Sequence, residues 1–174
     1  MTLSKPSRSL GDAREALRAH LHAHPDAILE GAAEEHGATL LDALHSLPPD
    51  MVVERDGRYF VDALAEIATW GDVTTIVHTA DVILEFVGTF PSGSVGRGFY
   101  NLAGHDGLRG HLRPERCAQI AFLERSFMGV PTASVLFVNV EGGCMFKVFL
   151  RRDASGAIDG TQLRAFRALA ARLA

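Results

Sequence analysis

A chain of 174 residues, 47% hydrophobic and 22% charged, is long enough to bury one real core without metal or disulfide staples. Its net charge of −4 supplies no basic surplus for holding nucleic acid, and no run approaches the roughly 18 apolar residues that span a membrane. Cys117 and Cys144 fit neither a CxxC nor a zinc spacing and read as reduced, partly buried thiols.

Met1-Thr2-Leu3-Ser4-Lys5-Pro6 leads into no apolar stretch, so no secretory leader is expected and the chain reads as cytoplasmic. Residues 1–9 are expected to form a flexible N-terminus, and residues 10–174 a single domain. Within it, 10–50 reads as a helical N-terminal unit, and 51–174 as a helix, an antiparallel sheet and a C-terminal helix.

Leu10, Ala13, Leu17 and Leu21 fall at helical spacing. Pro25-Asp26 open a second helix through Ile28, Leu29, Ala32 and Ala33, which Gly37 stops. A third runs over about 38–47 and ends at Pro48-Pro49. Two short apolar runs, at Met51–Glu54 and Arg58–Phe60, flank Arg55-Asp56-Gly57, and the Asp-Gly predicts a hairpin or tight turn. A helix follows over 61–70, with Leu64, Ile67 and Ala68 on one face.

After Gly71 the period changes to two. Strands are expected over 72–79, 81–89, 98–103, 108–113, 117–125, 133–140 and 144–151, with short turn-rich links, which is the pattern of an antiparallel meander. Asp159 starts a last helix with Leu163, Phe166, Leu169 and Leu173 along one stripe. The fold class is α+β, with the C-terminal helix packed on the sheet. Alternation predicts core faces for Val82, Leu84 and Phe86 and for Cys144, Phe146, Val148 and Leu150. The opposite face of the last strand carries Met145, Lys147, Phe149 and Arg151, which suits covering helices, a second subunit or an amphipathic ligand.

The strand over 108–113 points Leu108 and Leu112 one way and Arg109, His111 and Arg113 the other. It therefore offers an imidazole between two guanidinium groups, as either a solvated face or part of a haem site, where iron needs an axial base and the propionates need cations. His78 ends one face of its strand, a position commonly held by a hydrogen-bonded structural histidine. Tyr100 follows the glycine-rich stretch Gly93–Gly98. It is either a packing residue or a phenolate ligand favoured by nearby arginines, and the glycines would let backbone approach a flat ligand.

Other signals are set aside. Gly93-x-x-Gly96-x-Gly98 is not a dinucleotide pattern, since no helix follows it. No paired carboxylates support acid–base catalysis. His20 and His24 lie one helical turn apart, but the sequence fixes no third ligand, and the pair reads as an incidental metal binder. Ala33-x-x-x-Gly37 with Leu40 and Leu44 resembles a helix-turn-helix, yet the recognition segment 38–47 has no Lys or Arg, so it reads as a packing unit.

Several motifs in order carry a resemblance: Trp70-Gly71-Asp72-Val73-Thr74-Thr75-Ile76-Val77-His78-Thr79, Gly98-Phe99-Tyr100-Asn101-Leu102, Gly107-Leu108-Arg109-Gly110-His111-Leu112, Phe127-Met128-Gly129 and Met145-Phe146-Lys147-Val148. They resemble the HutX/ChuX family of intracellular haem-utilisation carriers, and Pro25-Asp26 and the helix end from Leu44 to Pro48 extend the likeness towards the N-terminus. One departure is Ser126, where the family pattern has proline, a change expected to affect a turn.

The resemblance implies a homodimer with strongly curved sheets. It also implies a cytoplasmic, non-enzymatic carrier that delivers haem to a haem-degrading partner. With no CxxCH present, the cargo is haem b held non-covalently. By residue match, His78 and His111 fall on histidines implicated in haem binding, and Tyr100 on a tyrosine implicated as iron ligand in some members; Arg109 and Arg113 are the propionate candidates. The alternatives carried forward are a haem-degrading or reductive haem-processing enzyme, whose chemistry would belong to the iron, and a DNA-binding regulator.

Overall fold

The computed structural model describes residues 10–104 and 107–174. The N-terminal segment expected to be flexible, 1–9, lies outside them, as do 105 and 106.

Three helices form the N-terminal unit: α1 (Leu10–Ala23), α2 (Leu29–Glu35) and α3 (Leu40–His45). The apolar spacing read from the sequence is their buried stripe: Leu17, Leu21, Leu29, Ala32, Ala33, Leu40 and Leu44 pack together. A capping box starts α3, with Thr39 Oγ1 accepting from Asp42 N at 3.2 Å and the Asp42 carboxylate accepting from Thr39 N at 3.0 Å. Arg14 on α1 donates to the same carboxylate at 2.7 Å, joining the first helix to the third.

Of the two forms expected around Asp56-Gly57, a hairpin or a tight turn, the turn forms and the hairpin does not. β1 (Val52–Asp56) pairs instead with the distant β7 (Cys117–Phe127), from Val52↔Leu123 to Asp56↔Gln119. The Asp56 carboxylate accepts from Arg58 N at 2.8 Å and caps one 3-10 turn, Gly57–Tyr59. Gly57 lies so close to the Cys117 backbone that a Cβ would meet Cys117 O at 2.0 Å. The Asp-Gly signal marked a real turn, but long-range pairing decided the partner.

α4 (Phe60–Ile67) leads into β2 (Asp72–His78) and β3 (Ile83–Thr89). A small sheet follows, of β4 (Gly93–Gly96), β5 (Phe99–Leu102) and β6 (Gly110–Leu112), and then β7, β8 (Val130–Asn139), β9 (Cys144–Leu150) and α5 (Gly160–Arg172). The strands thus make two antiparallel sheets, a six-stranded one in the order β1-β7-β8-β9-β2-β3 and a three-stranded one in the order β4-β5-β6. β4 was not expected as a strand, because three of the six residues 93–98 are glycines and give no alternation. It joins β5 through Arg97 and Gly98, both at positive φ (55° and 80°), a primed hairpin turn.

Both faces of the large sheet are covered. Ala121, Leu123, Leu136 and Val138 meet the N-terminal helices. The other face, with Ile120, Phe122, Val135, Phe137, Phe146 and Val148, meets α4, α5 and the small sheet. Phe137 and Phe146 stack there at 4.5 Å between ring centroids, with Phe60 edge-on to Phe137 at 5.3 Å. The C-terminal helix packs on the sheet as expected, through Phe166, Leu169 and Leu173.

Gln162 anchors α5 to the sheet. It is buried, its Nε2 donates to Trp70 O (2.9 Å) and Asp72 O (2.7 Å), and its Oε1 accepts from Arg151 N (2.9 Å).

Two expected core faces differ. β3 is an edge strand, so Val82 and Leu84 are each 48% exposed instead of buried. In β9 an irregularity in the pairing with β8 matches Phe137 to Phe146 and Val138 to Cys144. This bulge turns Cys144 towards the helical core and Met145 towards the opposite one.

Candidate functional site

β5 and β6 place the candidate residues by strand parity. Tyr100, Leu102 and Leu112 point inward and join the core, as does Leu108 just before β6. Phe99 and Asn101 occupy the alternate positions of β5 and His111 that of β6, paired directly with Asn101. Arg109, His111 and Arg113 are exposed, as alternation predicted.

On this face the polar geometry is tightly determined. The Asn101 amide Nδ2 donates to three backbone carbonyls, Ser94 O (3.2 Å), Gly96 O (3.1 Å) and Phe99 O (3.3 Å). Its Oδ1 is thereby turned outward as an acceptor and stands 2.7 Å from His111 Nδ1. That nitrogen must then carry the proton, which leaves the lone pair of a neutral His111 on Nε2. Phe99 lies edge-on to the His111 ring with centroids 5.8 Å apart, and the Arg113 guanidinium sits 4.5 Å from the centroid of the same phenyl ring. An imidazole whose Nε2 has no partner among the described residues, an aromatic ring and arginines therefore share one surface.

Tyr100 does not share it. Its side chain is 2% exposed, within the main core. Gly93 is needed so that the Tyr100 ring itself can pass, since a Cβ there would meet Tyr100 Cε1 at 2.5 Å. Burial pushes the Tyr100 phenol upward, and a hydrogen bond from the Gly93 backbone only partly opposes this. The glycine that had suggested room for a flat ligand makes room for the protein's own ring.

His78 ends β2, on the large sheet. Its Nδ1 stands 3.8 Å from Glu30 Oε1 on α2, and Lys147 of β9 forms an ion pair with the same carboxylate. His78, Glu30 and Lys147 line a cavity of about 170 Å³ with Arg125, Phe127 and Phe149. This is smaller than the roughly 300–1,000 Å³ of pockets that take drug-sized ligands. On its other side His78 borders an open groove of about 560 Å³ that carries Glu30, Glu34 and Glu141 and no arginine or lysine among its lining residues. Of these carboxylates Glu30 is ion-paired with Lys147 and Glu141 with Arg116, so the groove offers a propionate no uncommitted cation from its own lining.

Sequence reasoning missed Asn101, whose role depends on a hairpin that was not foreseen. It also missed Arg125, which donates to Pro25 O and Ala27 O, each at 2.7 Å, and holds the α1–α2 loop against the sheet. Cys117 and Cys144 are unpaired, and burial pushes both thiols up to about 12, which removes them as nucleophiles at neutral pH.

Residues 53–169 match the family model described as haem utilisation ChuX/HutX. The chain belongs to the ChuX/HutX haem-utilisation family. It is 32% identical over 170 residues to the intracellular heme transport protein HutX of Vibrio cholerae, covering 97% of this chain and 88% of that one. Among solved structures, ChuX, described as a heme-binding protein, superposes with a TM-score of 0.81 at 44% identity, over 90% of this chain and 98% of that one. A protein from Erwinia carotovora matches with a TM-score of 0.86 at 44% identity, over 91% and 98% of the two chains. The mixed helical and antiparallel architecture of this ChuX/HutX member is thus that of solved family members. Among the described residues, no helix is long and apolar enough to cross a membrane.

Proposed function

We propose that this chain binds one haem b without covalent attachment and carries it within the cytoplasm to a haem-degrading enzyme, with His111 Nε2 holding the iron. Phe99 lies beside the porphyrin, and Arg109 and Arg113 pair with the propionates, for which the guanidinium fork suits a carboxylate. The observation that carries this reading is the 2.7 Å contact between Asn101 and His111, which leaves Nε2 as the free nitrogen on the arginine-bearing face. Of the other two candidates, Tyr100 is buried in the core and His78 faces Glu30. Carriage is favoured over haem degradation because the relatives are named as a heme transport protein and a heme-binding protein.

An exposed histidine on a sheet face buries only one side of a haem, so a second surface must close the site. We propose that a second copy of this chain supplies it. Edge strand β3 exposes Ile83 (58%), Leu84 (48%) and Val87 (81%). Val87 also borders the same hollow as Leu108, next to Arg109. An uncovered apolar edge of this length is otherwise an aggregation hazard.

Haemin titration followed by absorption and resonance Raman spectroscopy tests the ligand. His111→Ala is expected to shift the Soret band and weaken binding, whereas Tyr100→Phe and His78→Ala keep the wild-type spectrum. A His111→Ala protein with an unaltered spectrum beside an altered Tyr100→Phe would overturn the assignment.

A further inference from the structure

The sequence offered His20 and His24 without a partner, and the fold supplies two. His20 lies in the last turn of α1, Glu35 ends α2, and His36 is the C-cap residue of α2. His36 Nε2 is 3.3 Å from His20 Nδ1, and Glu35 Oε2 is 4.0 Å from that same nitrogen. One donor atom from each residue lies within 4.8 Å of the other two. The His24 ring stands edge-on to His20 with centroids 5.2 Å apart, as does that of His36.

These separations suit a cation. A tetrahedral ion with metal–nitrogen bonds of about 2.0–2.1 Å holds its ligand atoms about 3.3 Å apart. The His20–His36 distance is already such an edge. Glu35 is 66% exposed, so its carboxylate can close the remaining gap by rotating about its own side chain. Two imidazoles and one carboxylate form a borderline donor set, suited to zinc and its neighbours and unsuited to magnesium or calcium. The carboxylate offsets part of the cation's charge, and the fourth position is open to water or to His24.

We propose that His20, Glu35 and His36 form a binding site for a divalent transition cation of the zinc type. The ion ties the end of α1 to the end of α2, the helix that carries Glu30 over His78. Because it binds the folded helical unit and not the unfolded chain, it raises thermal stability in proportion to the logarithm of its concentration. The site is independent of the haem reading, since none of its residues lies on β5 or β6.

The test uses the full chain, free of tag, haem and metal, with Co²⁺ followed by visible absorption and Zn²⁺ by calorimetry. One ion per chain is expected, with cobalt bands of tetrahedral intensity and a melting temperature that rises with added Zn²⁺. His20→Ala and His36→Ala should each weaken Zn²⁺ binding by more than about tenfold and abolish the melting shift. Glu35→Gln, a change of the same size at an exposed position, should weaken binding less. His45→Ala, which removes a histidine paired with Glu54 elsewhere, should change nothing. Unchanged affinity and stoichiometry in the folded His20→Ala/His36→Ala protein, checked by circular dichroism, would overturn the proposal. So would failure of the wild-type protein to bind Zn²⁺, or weak octahedral cobalt bands that survive in both single variants.

Discussion

Asn101 Oδ1 and His111 Nδ1 are 2.7 Å apart across paired positions of β5 and β6. Because the Asn101 amide is committed to three carbonyls, its orientation is settled by the backbone, and the histidine tautomer follows from it. Asn101→Leu should remove that control. Nitrogen NMR of the haem-free protein should then show His111 losing its preference for the Nδ1–H tautomer, and haem affinity should fall by about 10- to 100-fold. Asn101→Asp should retain the tautomer and make the imidazole a stronger donor, visible as a shift in the iron–histidine stretch. An unchanged tautomer in Asn101→Leu would reject the positioning role without touching the assignment of His111 as ligand.

Arg109 and Arg113 stand on the same face as His111 but do not reach its donor nitrogen in the proposed complex. Arg109→Ala should weaken haem binding several-fold while leaving the absorption spectrum near that of the wild type. Arg113→Ala should weaken it further, because the guanidinium also stacks on Phe99. Titration at two salt concentrations checks the assignment, since loss of a propionate partner should flatten the salt dependence.

Gln162 satisfies three backbone groups at the junction of α5 with β2 and β9. Gln162→Leu keeps the volume but strands the Trp70 and Asp72 carbonyls and the Arg151 N–H. A loss of about 2–4 kcal/mol is expected in urea unfolding, because each buried unsatisfied group costs about 1–3 kcal/mol and the site relaxes in part.

Burial raises Asp42, but the hydrogen bonds from Thr39 and Arg14 outweigh it and hold the carboxyl below the ordinary 3.8. A depressed folded value means that the carboxylate stabilises the protein above pH 3.8 and that this contribution is lost as the pH falls through the lower folded value. Asp42→Ala should therefore cost about 1 kcal/mol near neutral pH, the usual net worth of an intramolecular hydrogen bond. The gap between variant and wild type should close in strong acid, as measured by denaturation at a series of pH values.

The exposed edge of β3 sets the oligomeric test. Ile83→Glu with Val87→Glu should shift light-scattering mass towards the 18.8 kDa monomer without unfolding the chain, since both side chains are solvent-exposed. A wild-type protein that is already a monomer at micromolar concentration would remove the dimer from the proposal.

Local periodicity alone placed a good part of this protein. The helical stripe of α5, the inward Leu108 and Leu112, and the outward Arg109, His111 and Arg113 were all legible, because side-chain direction within a strand or helix is a property of the backbone repeat. What local pattern cannot carry is which strands far apart in the sequence become neighbours. That choice put β1 beside β7, a strand more than sixty residues away, left β3 uncovered at the sheet edge, and turned Tyr100 under Gly93. Likewise Asn101 orients His111, and His36 meets His20, only because a hairpin and two helix ends converge in space. Those contacts join residues that no repeat relates, and only the packing of the whole chain decides them.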